Sequence, residues 1–160
     1  MATYERETRV DASLEDVWTF HSRVEGLEAL TPDWMGLRVE RVVGPDDVSS
    51  PTVLEAGTEL SLSMRPFDVG PRTYWTSRIT SRERTEGAAV FRDEMIDGPF
   101  DRWLHTHAFY ADGTSTIVRD RIEYALPMGG VGAALEPFSR IGFEPMFRYR
   151  HRRTKALLEG

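Results

Sequence analysis

The sequence predicts an α+β fold: a curved antiparallel sheet of about seven strands wrapped on a long C-terminal helix, with two short helices after the first strand. Three observations predict it. From Val90 to Pro127, three segments of alternating character are joined by two turn signals, Gly98-Pro99 and Asp112-Gly113. Near the N-terminus, two short stretches carry apolar residues at helical spacing between one alternating segment and the next. After Pro127 the period changes, and Ala134, Leu135, Phe138, Ile141, Gly142, Met146, Tyr149 and Leu157 recur at helix-like intervals to the end. A run of antiparallel strands curls as it twists. One long amphipathic helix can cover the concave face, leaving a cavity wherever facing side chains do not fill the space.

The elements follow in order. Thr3 to Ala12 alternates Tyr4, Arg6, Thr8 and Val10 against Glu5, Glu7 and Arg9, which reads as a first strand. Ser13 is placed to cap a helix, with Asp16 three residues on. Leu14, Val17, Trp18 and His21 then predict a helix over 14–22. Val24, Leu27 and Leu30 predict a second one, ending before Pro32. Met35 to Val43 reads as a strand, and Gly44 to Gly57 as a loop rich in Gly, Pro, Asp and Ser. Leu60, Leu62 and Met64 mark the next strand, and Pro66 to Pro71 a turn. Trp75, Ser77 and Ile79 mark another strand, followed by the three of the Val90–Pro127 stretch. Asp112-Gly113 suits a type I′ hairpin turn, which needs positive φ at both central residues. Met128 to Gly132 reads as a flexible connection, and Pro145 as a kink or break in the final helix. Pro137 is tolerated best in a first helical turn.

Composition narrows the function classes. The 160 residues fit one domain, 1–160, with 40% hydrophobic and 29% charged residues, a balance that folds rather than staying disordered. A net charge of −6 argues against general nucleic-acid binding, because phosphate is repelled. There is no cysteine, which removes disulfides and thiolate chemistry. Thr3 to Arg9 is polar, unlike a signal peptide, and no apolar run approaches the roughly 18–20 residues of a membrane span. A cytoplasmic protein with no stable membrane insertion is the expectation.

The chemistry-bearing residues concentrate on two strands. Trp103, His105, His107 and Phe109 fall at period two and share one sheet face, as do Val118, Asp120, Ile122, Tyr124 and Leu126. Pairing across the hairpin lays Asp120 on the face that carries both histidines. The two imidazoles lie about 6.5–7 Å apart along the strand. They suit hydrogen-bonding in a polar pocket wall or rim, acid–base work, or metal ligation together with Asp93 or Asp120. Asp93 and Asp120 have apolar same-face neighbours and so need partners, which the histidines or Arg78, Arg92, Arg119 or Arg121 could supply. The aromatic residues suit both a core and a pocket wall. Arg148, Arg150, His151, Arg152, Arg153 and Lys155 read as a solvated basic face that complements the helix dipole. No Ser/His/Asp hydrolase motif or phosphate loop is present.

Taken together, these words resemble a known family. Val10 to Trp18 is similar to the usual strand-to-helix opening of the Bet v 1-like START superfamily, the SRPBCC proteins, whose fold is the helix-grip. Asp93, Gly98-Pro99-Phe100, Trp103 to His107, Asp120 to Tyr124 and Leu126-Pro127 resemble its polyketide cyclase/dehydrase-like branch. Similar domains occur attached to epimerase-like nucleotide-sugar domains; the expectation here is one domain without such an attachment. The resemblance implies a pocket for an apolar or amphipathic small molecule. That superfamily holds binders, transporters and enzymes alike, so it does not choose among them.

The leading expectation is therefore binding of a lipid, polyketide or isoprenoid-like molecule in a pocket of a few hundred cubic ångströms. The expected lining is Trp75, Phe91, Asp93, Met95, Trp103, His105, His107, Phe109, Asp120, Tyr124, Phe138 and Phe143, with no metal and no cofactor. The loop Gly44–Gly57 and the turn Pro66–Pro71 are expected to flank its entrance. A second reading is a cyclase- or dehydratase-type enzyme in which His105 or His107 moves a proton and Asp120 orients the imidazole. A third is a protein-interaction domain with a filled core.

Overall fold

The computed structural model describes residues 1–160 apart from the side chains of Pro137 and Phe138, so the expectations for those two side chains lie outside the described residues. Strand β1 (Ala2–Val10) leads into helix α1 (Leu14–His21), where the Ser13 hydroxyl accepts the Asp16 amide at 3.1 Å and caps the first turn. Helix α2 (Val24–Ala29) packs on α1 so closely that a Cβ at Gly26 would stand 2.2 Å from the Phe20 carbonyl oxygen. Met35 does not begin a strand. It closes a single 3₁₀ turn, Asp33–Met35, ended by Gly36 at φ 61°, and the strand starts only beyond that left-handed residue.

Strands β2 (Arg38–Val43), β3 (Glu59–Met64), β4 (Thr73–Arg84), β5 (Ala88–Asp97), β6 (Arg102–Asp112) and β7 (Ser115–Ala125) complete one seven-stranded antiparallel sheet, ordered β1-β7-β6-β5-β4-β3-β2. The β4–β5 pairing slips twice, between Thr76 and Ser77 and between Ile79 and Ser81. Bulges of this kind increase local twist and bend the strand, and here they curve the sheet around the helix. The β6–β7 turn lies one residue later than its sequence signal: Asp112 pairs with Ser115, so Gly113 and Thr114 are the central residues. Only Gly113, at φ 60°, is left-handed, the pattern of a type II′ turn rather than type I′.

Helix α3 runs from Gly129 to Leu158. Met128 to Gly132 is thus not a flexible connection. Met128 and Gly129 take positive φ to turn the chain into the helix, and a Cβ at Gly132 would meet the Pro127 carbonyl oxygen at 2.1 Å. The glycines serve direction and close approach. Nor does the helix break at Pro145, which is exposed, so water can satisfy the carbonyl left without its amide partner.

Two apolar clusters fill the space between sheet and helices. One joins Val10, Val17, Trp18, Leu60, Leu62, Ile79, Phe91, Phe109 and Val118; the other joins Tyr4, Ile122, Tyr124 and Phe147, with Phe143 and Trp103 against it. Full burial of side chains such as Phe109 and Phe147 contributes about 1.5–3 kcal/mol each. Tyr4 also donates to Glu144 at 2.6 Å, pinning β1 to α3. Burial and the adjoining Glu144 carboxylate push the Tyr4 phenol well above its ordinary pKa.

Candidate functional site

Between the two clusters a polar belt crosses the concave face. Along β7 the inward residues run Val118, Asp120, Ile122, and along β6 Phe109, His107, His105, Trp103. Along β5 they run Phe91, Asp93, Met95, and along β4 Ile79, Ser77, Trp75. Period two therefore aligns one polar layer over four neighbouring strands. Ser77 donates to Asp93 at 2.9 Å and His107 Nε2 donates to the other Asp93 oxygen at 2.9 Å. His105 Nε2 donates to Asp120 at 2.8 Å. The second Asp120 oxygen accepts from His151 Nε2 of α3 at 2.7 Å.

His107 Nδ1 also approaches Asp120 at 3.3 Å. The angle is poor, so this is a charge contact rather than a hydrogen bond, and Nδ1 is left without a hydrogen-bond partner. The four arginines considered as carboxylate partners play no part in the belt; Arg78 and Arg119 pair with Glu59 and Glu7 at the surface. His151 is not on a solvated basic face. It is 3% exposed, because it stands one helical turn after Phe147 on the stripe that faces the sheet.

The environment separates the two histidines of β6. Burial and the neighbouring His107 charge press the His105 imidazole below its ordinary pKa. Burial opposes charge on His107 too, but Asp120 and Asp93 on either side outweigh it and raise that pKa. Burial likewise opposes charge on both aspartates, but His107, with His105 and Ser77, holds Asp93 below the usual carboxylate range. His105, His107 and His151 hold Asp120 well below it. His105 is thus a neutral imidazole with its Nε2 proton on Asp120 and Nδ1 as the lone-pair nitrogen, 3.9 Å from Asp93. His107 holds its proton the more tightly of the two. Two imidazoles whose surroundings push their pKa values apart give the division of labour that proton transfer needs.

Above the belt lies a pocket of about 360 Å³ between the sheet, α2 and α3. Trp75 of β4, Phe91, Asp93 and Met95 of β5, Trp103, His105 and His107 of β6, and Phe143 of α3 all line it. Leu27, Leu30, Leu54, Leu60, Leu62 and Ile79 supply an apolar wall. The interior is not filled, as an interaction domain with a solid core would require. Three of the residues expected on the lining are not there. Phe109 is 0% exposed inside the first cluster, behind His107. Tyr124 is fully buried in the second cluster and donates to the Glu136 carbonyl at 2.9 Å. Asp120 lies beneath the histidines, holding them rather than facing the space. Alternation gives the face of a residue but not its depth.

Trp34, Pro99 and Gly142 are the exposed members of the lining and mark its rim. Of the two segments expected at the entrance, Gly44–Gly57 contributes Leu54. The Pro66–Pro71 turn does not line the pocket, but Phe67 stacks on Trp34 at 4.8 Å. At the rim a Cβ on Gly98 would stand 2.7 Å from Trp75 Cβ and 2.4 Å from Met95 Sδ, so glycine lets the β5–β6 connection close over the pocket edge.

Asp93, His105 and His107 place one ligand atom each within 4.8 Å of one another. The imidazoles, however, do not keep the strand spacing of about 6.5–7 Å: the side chains lean together and stack at 3.6 Å between centroids with planes 32° apart. Ring lone pairs lie in the ring plane, so near-parallel rings send them side by side instead of converging on one ion. Bound as they stand, both nitrogens would meet a metal far out of plane, and each ring already spends its Nε2 on a carboxylate, His105 on Asp120 and His107 on Asp93.

The molecule's relatives agree with the geometry. Residues 10–148 match the family described as polyketide cyclase / dehydrase and lipid transport. The chain belongs to this family. Its fold is the helix-grip of Bet v 1-like proteins. Norcoclaurine synthase of Thalictrum flavum, solved in complex with dopamine and hydroxybenzaldehyde, is 20% identical with a TM-score of 0.66, over 99% of this chain and 87% of that one. A Thermus thermophilus protein is 19% identical with a TM-score of 0.66, over 98% and 99%. A nucleoside-diphosphate sugar epimerase of Corynebacterium glutamicum, 16% identical with a TM-score of 0.60, covers 96% of this chain with 28% of its own. At these identities the likeness is one of fold. No curated protein sequence matches. Among the described residues, no helix is long and apolar enough to cross a membrane.

Proposed function

We propose that this member of the family binds a hydrophobic or amphipathic small molecule, of the lipid, polyketide or isoprenoid-like class, between the sheet and α3. The observation that carries this reading is the pocket: about 360 Å³ walled by leucines and aromatic rings, with a few fixed polar groups at its floor. Apolar walls supply affinity, and a few placed polar groups orient the ligand. The ligand-facing set is Trp75, Phe91, Asp93, Met95, Trp103, His105, His107 and Phe143. Native mass spectrometry of the purified protein tests the reading. A co-purified species that leaves on denaturation and rebinds on refolding supports it; failure of every apolar candidate to bind the stripped protein contradicts it.

The belt favours a second reading, a cyclase- or dehydratase-type enzyme. His105 Nδ1 takes a proton from a bound substrate and His107 gives one to a departing or developing oxygen, while Asp120 fixes the His105 tautomer. The two readings separate on one comparison. Conversion of a bound ligand that is lost in both His105→Gln and His107→Gln, with binding retained, establishes turnover. An unchanged ligand with wild-type protein and binding weakened by the same substitutions establishes the binder.

A further inference from the structure

One charged residue of the pocket takes no part in the belt. Arg150 of α3 lines the cavity, one turn after Phe147 and Met146. Among the described residues, no carboxylate oxygen lies within 4 Å of its guanidinium, although Arg6, Arg9, Arg78, Arg84 and Arg119 all have such partners. Its Nε is buried with no hydrogen-bond partner. Its guanidinium carbon lies 5.7 Å from the Phe147 ring centroid, a weak attraction. The pocket's own carboxylates are already engaged: Asp93 holds Ser77 and His107, and Asp120 holds His105 and His151. A cation on an apolar wall with no counter-charge is costly, and an anion brought by the ligand removes that cost.

We infer that the pocket selects an amphipathic anion, whose acidic headgroup pairs with Arg150 while its apolar body lies along the leucine and aromatic wall. This rests on the binding reading above and adds the ligand's charge to it. The planar guanidinium fork matches the paired oxygens of a carboxylate or phosphate, so either headgroup fits the same site. His107 is the other basic side chain on the lining, but both flanking aspartates already face it.

The test compares three probes of one chain length, dodecanoate, dodecyl phosphate and dodecan-1-ol, each displacing the neutral fluorophore 1-aminoanthracene from the whole chain at pH 7. The wild type is expected to hold at least one anion about 10–100-fold more tightly than the alcohol, the worth of a hydrogen-bonded charge. Whichever anion binds better identifies the headgroup. Arg150→Gln is expected to abolish the preference while leaving dodecan-1-ol affinity unchanged, which also shows that the variant is folded. Arg150→Lys, which keeps the charge but not the fork, is expected to retain part of it. Equal binding of alcohol and anions by the wild type overturns the inference and leaves the binding reading standing. So does an anion preference that survives Arg150→Gln, which assigns the anion to His107. If no probe displaces the fluorophore, both the inference and the reading fall.

Discussion

His151 of the C-terminal helix donates its Nε2 proton to Asp120 of β7 at 2.7 Å, and both side chains are almost wholly buried. This bond fastens the helix to the sheet at the level of the polar belt. It also occupies the Asp120 oxygen that His105 leaves free. The hydrogen-bonding state of the pocket floor therefore depends on a residue outside the pocket.

Asp120→Asn tests how much the belt holds. The amide keeps the shape but offers one acceptor where three histidine nitrogens converge, and it turns a donor toward one of them. Breaking a buried charged network costs about 3–5 kcal/mol. Urea unfolding should register a loss of that order, and a loss under about 1 kcal/mol would contradict the role given to Asp120.

His151 should tolerate one substitution and not another. His151→Gln can present an amide proton near the position of Nε2, so its stability should stay within about 1 kcal/mol of wild type. His151→Leu leaves an Asp120 oxygen unpaired and should cost about 1.5–3 kcal/mol, with faster amide exchange along α3. Equal losses for both would show that the site responds to packing alone.

Acid should destabilise the fold before its carboxylates titrate. His21 is buried, donates Nδ1 to the Val17 carbonyl at 2.8 Å, and has its pKa lowered by burial to about 3. In the unfolded chain a histidine takes its proton near pH 6.5, so between there and pH 3 the unfolded state binds the extra proton and stability falls as pH drops. The slope is about 1.4 kcal/mol per pH unit at full effect. His105, also lowered, acts in the same direction. His107, raised, opposes them, its contribution being present at low pH and lost as pH rises through its folded pKa. Asp93 and Asp120 are held below the carboxylate range, so their contribution is lost only below about pH 4. His21→Asn keeps a donor for Val17 and cannot titrate. Its stability should fall less than that of wild type between pH 6.5 and 4.5, and identical slopes would remove His21 from the account.

Gly98→Ala should strain the rim. The added methyl meets Trp75 Cβ, which cannot swing away, as well as the flexible end of Met95. Overpacking of this kind costs about 1–3 kcal/mol. Thermal unfolding should show the loss, and a change within error would mean that the β5–β6 connection shifts freely.

The sheet, its order of elements and the shared face of His105, His107 and Asp120 could be read from alternation, because a period of two leaves few choices of face; that Asp120 stands opposite His107 could not, because the turn lies one residue beyond its signal. The belt could be read only in part. Ser77 looked like any strand polar residue, since its partner Asp93 is brought beside it by a bulge that leaves no local signature. His151 sits among arginines, whose charge hides its inward position. The signal was its spacing of four from Phe147 and three before Thr154, both buried. Arg150 was hidden in the same run. The glycines after Pro127 read as flexible in sequence and packed in the structure because flexibility and close approach call for the same residue.

The space between sheet and helix is expected to hold a hydrophobic or amphipathic small molecule. The most direct measurement is titration of 1-aminoanthracene into wild type and into Leu62→Trp, which places a larger ring in the pocket, with circular dichroism confirming that both are folded. The account predicts saturable binding to wild type, with energy transfer from Trp75 and Trp103 on the lining, and binding to Leu62→Trp weakened at least about 10-fold, or 1.4 kcal/mol. Equal binding to both proteins, or none to wild type, would contradict it.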